Sequence, residues 1–181
     1  MRRVKGISET VAIALLIVVA IALAVAIYFA TQRFTTTSDY VQVQAFKVQN
    51  KYAGTNQISI VGLRLIPKSD KYLTITQIVV FASFSDGSSA KTTIAAPAAG
   101  TAWNGQFAAG NPASIRSAIS ITGEGPTTIN PGTTLELTFT FTNTIAGANA
   151  NPQIVSLSFQ VTVRDPSGAL YTYTSNEVSV T

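Results

Sequence analysis

Residues 135–141 read Leu-Glu-Leu-Thr-Phe-Thr-Phe, and residues 155–163 read Val-Ser-Leu-Ser-Phe-Gln-Val-Thr-Val. Successive side chains of an extended strand point to opposite faces. Leu135, Leu137, Phe139 and Phe141 therefore line one face, and Glu136, Thr138 and Thr140 line the other. The second stretch places Val155, Leu157, Phe159, Val161 and Val163 inward against Ser156, Ser158, Gln160 and Thr162. Asp165-Pro166-Ser167-Gly168 then supplies turn chemistry, leading to Tyr171 and Tyr173, so a hairpin is predicted here.

Moving outward, residues 40–48, 57–66, 72–84, 90–95 and 115–122 are further strand candidates, with Asp86-Gly87 as a tight turn between the third and fourth. About eight short strands separated by Pro and Gly predict an antiparallel β-sandwich of immunoglobulin-like outline, its strand order open. Residues 95–111 and 147–152 read as surface loops. Trp103 and Phe107, in the first loop, are either anchors for a partner or aromatics tucked under their own domain.

The character of the chain differs completely before residue 39. Residues 11–30 read VAIALLIVVAIALAVAIYFA, twenty consecutive apolar residues. As a helix this run spans roughly 30 Å, one bilayer core. Its Val, Ile, Leu and Phe side chains each gain about 2 kcal/mol by leaving water. A secretory signal peptide has a shorter apolar core and a cleavage site in a more polar setting, whereas Ala22-Leu23-Ala24 lies inside the run. Arg2, Arg3 and Lys5 precede it, which keeps that end cytoplasmic and sends the β domain outside. Thr35-Thr36-Thr37-Ser38-Asp39 marks the junction. The expected class is α+β, with a basic leader at 1–6, an apolar helix at 7–38 and a β-sandwich at 39–181.

The chain contains no cysteine and no histidine, so disulfides, thiolate and imidazole metal sites, thiol nucleophiles and histidine bases are excluded. Acidic residues occur singly, without calcium-loop spacing or a carboxylate pair. Neither enzymatic activity nor a cofactor or metal is expected. Of twelve basic residues, three lie in the first five positions, and the remaining nine face eight acidic ones. The nine are scattered, so no nucleic-acid partner is expected.

Arg2-Arg3-Val4-Lys5-Gly6, followed by Ile7-Ser8-Glu9-Thr10 and the apolar run, resembles the class III signal peptide of archaeal prepilins and archaellins. Leader, apolar segment and β domain in this order resemble archaeal type IV pilins over the whole chain. The resemblance implies cleavage after Gly6 by a membrane aspartic prepilin peptidase, with Lys5, Gly6 and Ile7 as the processing site. It also implies an assembly ATPase and membrane platform that draw the processed segment out of the bilayer into a helical homopolymer. The product would be an extracellular pilus at the cell surface, serving adhesion or attachment.

The residues themselves are compatible with that picture. Glycine leaves the scissile backbone accessible, and a new amine at Ile7 is a natural counter-charge for Glu9 of the same or a neighbouring subunit. Glu9 equally suits a helix N-terminus. Ala20 and Ala24 share one helical face, and Ala22, Ala26 and Ala30 another, giving close-packing surfaces on more than one side. An archaellin of a motility filament, and a monomeric membrane-anchored binding protein with its leader retained, are the alternative readings.

Overall fold

The computed structural model describes residues 40–181. Every regular element there is a strand: β1 (Val41–Ala53), β2 (Asn56–Pro67), β3 (Leu73–Phe84), β4 (Ser89–Ala95), β5 (Trp103–Phe107), β6 (Ile119–Glu124), β7 (Thr128–Ile129), β8 (Leu135–Thr144), β9 (Ile154–Arg164), β10 (Leu170–Thr174) and β11 (Val178–Ser179). The α+β class expected from the sequence is corrected accordingly. The described residues are all-β, two antiparallel sheets without a helix. The physical reason is the period-two patterning that runs throughout them, with no apolar stripe at helical spacing. The expected helix at 7–38 and the leader at 1–6 lie outside the described residues. Among the described residues, no helix is long and apolar enough to cross a membrane.

One sheet has the order β1-β2-β8-β6-β5, and the other β10-β9-β3-β4, with β7 added to β3 and β11 to β9. Chain-adjacent β2 and β3 lie in different sheets, as do β8 and β9, yet β2 pairs with β8 and β3 with β9. Two hairpin partners have thus been exchanged between layers. The arrangement β1-β2-β8-β6 facing β10-β9-β3 is the strand order of the immunoglobulin sandwich, four strands against three.

The core is a single cluster contributed by both layers. Phe139 and Phe141 of β8 meet Phe159 of β9 at ring-centroid distances of 5.7 and 6.3 Å, and Phe84 of β3 meets Phe107 of β5 at 6.3 Å. Gly123 on β6 makes room for this stack. A Cβ there would lie 2.5 Å from Cε1 of Phe139 and 2.9 Å from Cβ of Trp103.

Register slips occur at three places. Opposite β2, the pairing skips Val48; opposite β9, it skips Thr76; and near Phe84 it skips Val155. Each is a β-bulge, which reverses the facing of the residues beyond it. Ile75 and Ile78, three apart, consequently both point into the core. Val155, expected inward from the alternation, is only half-buried, and Ile154 occupies the core instead.

Turn chemistry follows the sequence closely. Gly87 (φ +81°) and Gly168 (φ +92°) take the left-handed conformation at the β3–β4 and β9–β10 turns. Asp165 fastens the second turn by accepting from Ser167 Oγ at 2.5 Å and from the Ala169 N–H at 3.0 Å.

Candidate interaction surfaces

The predicted processing residues Lys5, Gly6 and Ile7, and the predicted assembly residues Glu9, Ala20, Ala22, Ala24, Ala26 and Ala30, all lie outside the described residues. What residues 40–181 offer is the surface of the sandwich, and its two broad faces differ in chemistry.

On the five-stranded sheet, β2 is apolar on both sides. Val61, Leu63 and Leu65 point into the core and are fully buried, while Ile58, Ile60 and Ile66 are half-buried on the outside. Phe46 of β1 stands opposite Gly62 of β2 in the ladder. Its ring lies over the glycine so closely that a Cβ at position 62 would sit 2.2 Å from the ring's Cζ. The absence of a side chain at Gly62 therefore seats the aromatic, covering backbone that would otherwise face water.

The Arg64 guanidinium lies 5.3 Å from the Phe46 ring centroid and is held there by Glu136 of β8. Nη2 and Nε both donate to Glu136 Oε1, at 2.7 and 2.8 Å. The two side chains are 45% and 53% exposed, so the pair by itself is worth at most about 1 kcal/mol. Its consequence is positional, fixing the cation over the aromatic face.

A recess of about 610 Å³ opens beside this cluster, lined by Gln42, Gln44, Phe46, Arg64 and Asn176 among others. Asn176 closes part of the β1 edge. Its Oδ1 accepts from the Ala45 N–H and its Nδ2 donates to the Ala45 carbonyl, each at 2.9 Å. The side-chain amide thus pairs with the exposed strand as another backbone would, blunting an edge that could template further strands.

On the six-stranded sheet, Phe81 is the exposed aromatic, flanked in register by Lys91 of β4 and Ser158 of β9. Phe81 and Lys91 line a smaller recess of about 290 Å³, which Asn111 borders. The charged residues on the strands of this sheet are Lys91 and Arg164, whereas both glutamates found on strands, Glu124 and Glu136, belong to the other sheet.

One end of the sandwich holds a buried amide relay. Gln57 of β2 binds the backbone of Ile154 in both directions, donating from Nε2 at 2.9 Å and accepting at Oε1 from its N–H at 2.8 Å. Asn143 of β8 donates to the Pro152 carbonyl at 2.9 Å. Asn151 donates to Asn143 Oδ1 at 3.0 Å and accepts from the N–H groups of Arg116 and Ser117. Among the described residues, no buried side-chain polar atom lacks a hydrogen-bond partner. The relay therefore has no vacant group aimed at a ligand, and its work is to tie two connections to the sheets.

The expected loop at 95–111 is corrected by β5, which pairs with β6 from Trp103 to Phe107. Trp103 and Phe107 are 0% and 1% exposed, and Trp103 Nε1 donates to the Gly125 carbonyl at 3.1 Å. They belong to the core and are unavailable as anchors for a partner. The surface aromatics Phe46 and Phe81 were not singled out from sequence. The available signal was the run Ile60 to Leu63 of β2 beside Phe46, which lacks a polar side chain, since a strand with one wet face alternates.

No family model matches the chain, and no curated protein matches it. Among solved structures, a Northeast Structural Genomics Consortium target designated SoR45 is similar at 10% identity and a TM-score of 0.45, covering 77% of this chain and 83% of its own. A Bordetella pertussis protein given the name ApaA is similar at 11% identity and a TM-score of 0.46, covering 76% and 87%. Likenesses of this degree assign neither family nor function.

Proposed function

We propose that this chain is the structural subunit of an extracellular filament of the archaeal type IV pilin kind, serving adhesion or surface attachment. The observation that carries the reading is a juxtaposition in the sequence: Arg2-Arg3-Val4-Lys5-Gly6 stands four residues ahead of the twenty-residue apolar run 11–30. The run gains too much by leaving water to be free in solution. It can leave a bilayer only for another apolar setting, and like segments of neighbouring subunits provide one. Cleavage after Gly6 removes three cations that would otherwise anchor the segment at the cytoplasmic interface. It also creates an amine at Ile7 within reach of Glu9. Polymerisation is the function, and no substrate is turned over. The self-contained sandwich of residues 40–181 supports the reading as the outward-facing part of such a subunit.

The test compares sheared surface material from cells expressing the natural chain and Gly6→Trp by electron microscopy. Filaments are expected from the first, and uncleaved precursor retained in the membrane from the second. Normal filament yield from Gly6→Trp would overturn the assignment of the junction.

A further inference from the structure

Among the described residues, the most exposed large apolar side chains are Tyr72, at 64%, and Leu170, at 57%. Both lie at one end of the sandwich. Tyr72 immediately precedes β3 and Leu170 opens β10, and between them Arg164 of β9 is in register with both Thr74 and Leu170. Tyr40, where the chain enters β1, belongs to the same end. Its carbonyl accepts from the Lys68 N–H at 2.8 Å, its ring meets Tyr171 edge-on at a centroid distance of 4.8 Å, and its N–H donates to the Tyr173 hydroxyl at 3.3 Å. The Lys71 ammonium stands 5.6 Å from the Tyr40 ring centroid. Four of the five tyrosines among the described residues are thus gathered here, whereas Tyr52 lies near the far end of the 13-residue β1.

We propose that this tyrosine-lined end docks on the headgroup layer of a lipid bilayer, with Tyr72 and Leu170 entering the interface and Lys68 and Lys71 reaching toward the phosphates. The proposal rests on the reading of residues 11–30 as inserted in the membrane before assembly. A tyrosine ring is apolar along its body and polar at its tip, which suits the boundary between acyl chains and water, and a lysine stem ending in an ammonium suits it likewise. The point of chain entry says which surface is at hand. Only residues 31–39 separate Tyr40 from the apolar run, and nine residues extend to at most about 30 Å. A bilayer holding the run is therefore within reach of this end, while the other end of β1 stands about 40 Å further along the strand. Charge does not select the partner. Lys68, Lys71 and Arg164 stand against Asp70, Asp165 and Glu124, and Glu136 is already paired with Arg64. The docking is consequently aromatic and apolar in origin and needs no acidic lipid. It keeps the sandwich of an unassembled subunit on the bilayer and is released when the subunit leaves.

The chain has no cysteine, so one introduced thiol carries a fluorophore without background. Ala169→Cys places it on the exposed β9–β10 turn beside Leu170, and Thr55→Cys places it on the β1–β2 turn at the opposite end. The full-length chain is reconstituted into phosphatidylcholine vesicles that contain a lipid with a nitroxide on its headgroup. Quenching is expected at 169 and not at 55. A tether alone would give a difference of that kind, so Tyr72→Ser/Leu170→Ser decides. Both side chains are exposed, and their removal spares the core. Losing their apolar contact should lower the ratio of docked to free domain about tenfold or more, and quenching at 169 should fall to near the level at 55. Quenching at 169 that survives the double substitution, or that merely equals quenching at 55, would overturn the proposal. A fluorophore at 169 that is shielded from water yet unquenched would overturn it as well, and would put a second copy of the chain on this end. Failure of the full-length chain to float with the vesicles would instead remove the membrane reading on which the proposal stands.

Discussion

Replacing Asn151 by alanine tests whether the buried amide relay holds the sandwich together. The side chain is 5% exposed and makes five hydrogen bonds. It accepts from the Arg116 and Ser117 N–H groups at 2.7 and 3.0 Å, and donates to Ser117 O, Ser117 Oγ and Asn143 Oδ1 at 2.9, 3.1 and 3.0 Å. After truncation, Arg116 and Ser117 are exposed enough to recruit water, which limits that loss. Asn143, at 0% exposure, keeps its bond to the Pro152 carbonyl but its Oδ1 loses the Asn151 donor. A buried acceptor left without a partner costs about 1–3 kcal/mol, and each replaced bond about 1 kcal/mol. The expected loss is about 3 kcal/mol, or roughly 10 °C in Tm for a domain of this size. Residues 40–181 form a compact unit with its own core, so urea and thermal unfolding of that fragment are the assay. Asn104→Ala, which removes one exposed 3.3 Å bond, serves as the control and should change stability by less than about 0.5 kcal/mol. An Asn151→Ala loss below about 1 kcal/mol would refute the reasoning, because the relay would then be exchanging with water.

Gly123→Ala should destabilise the fragment by about 1–3 kcal/mol, since its methyl group would drive into the Phe139 ring; Phe139→Leu in the same chain should recover part of that loss in a double-mutant cycle. Trp103→Ala should cost about 3–5 kcal/mol, and a loss under about 1 kcal/mol would return residues 103–107 to the surface. The Ser167 hydroxyl, aided by the Ala169 N–H, holds the Asp165 carboxyl below the usual carboxylate range despite the opposing effect of burial. A lowered folded pKa means its contribution is present above the unfolded pKa and is lost as pH falls through the folded one. Asp165→Asn should therefore flatten the dependence of Tm on pH below about pH 4 relative to the natural chain. An unchanged slope would show that the turn does not couple to that proton.

The long strands were legible because each buries one face and wets the other. Leu135 to Phe141 alternate without interruption, and β8 buries the four apolar residues expected. Legibility failed where a bulge shifts the phase. Val155 belongs to the alternating series in the sequence, but the ladder skips it and seats Ile154 opposite Phe84. A bulge is set by pairing with a distant strand, so local alternation carries no trace of it, except where two core residues stand three apart, as Ile75 and Ile78 do. Strand β5 escaped for another reason. Its five residues lie between Ala-, Gly- and Pro-rich segments, and its central position is Gly105, where a Cβ would stand 2.7 Å from Cγ1 of Ile94. The glycine that reads as a loop residue is required by close approach to β4. The amide relay left no signal at all, because Asn and Gln are ordinarily surface residues and only the assembled ends bring 57, 143 and 151 together. As for sites, the proposed processing junction is a linear motif of residues 2–7 and lies outside the described residues. The two outer-face aromatics became visible only when the strand register showed which side of each sheet they occupy.

The proposed function requires that the apolar segment, freed of its leader, carry this chain into a filament. Intact-mass and N-terminal sequence determination on subunits from sheared filaments tests it most directly. Filaments whose subunits begin at Ile7 are expected. Only a membrane-bound monomer that retains Met1 through Gly6, with no filament in the sheared fraction, would contradict it.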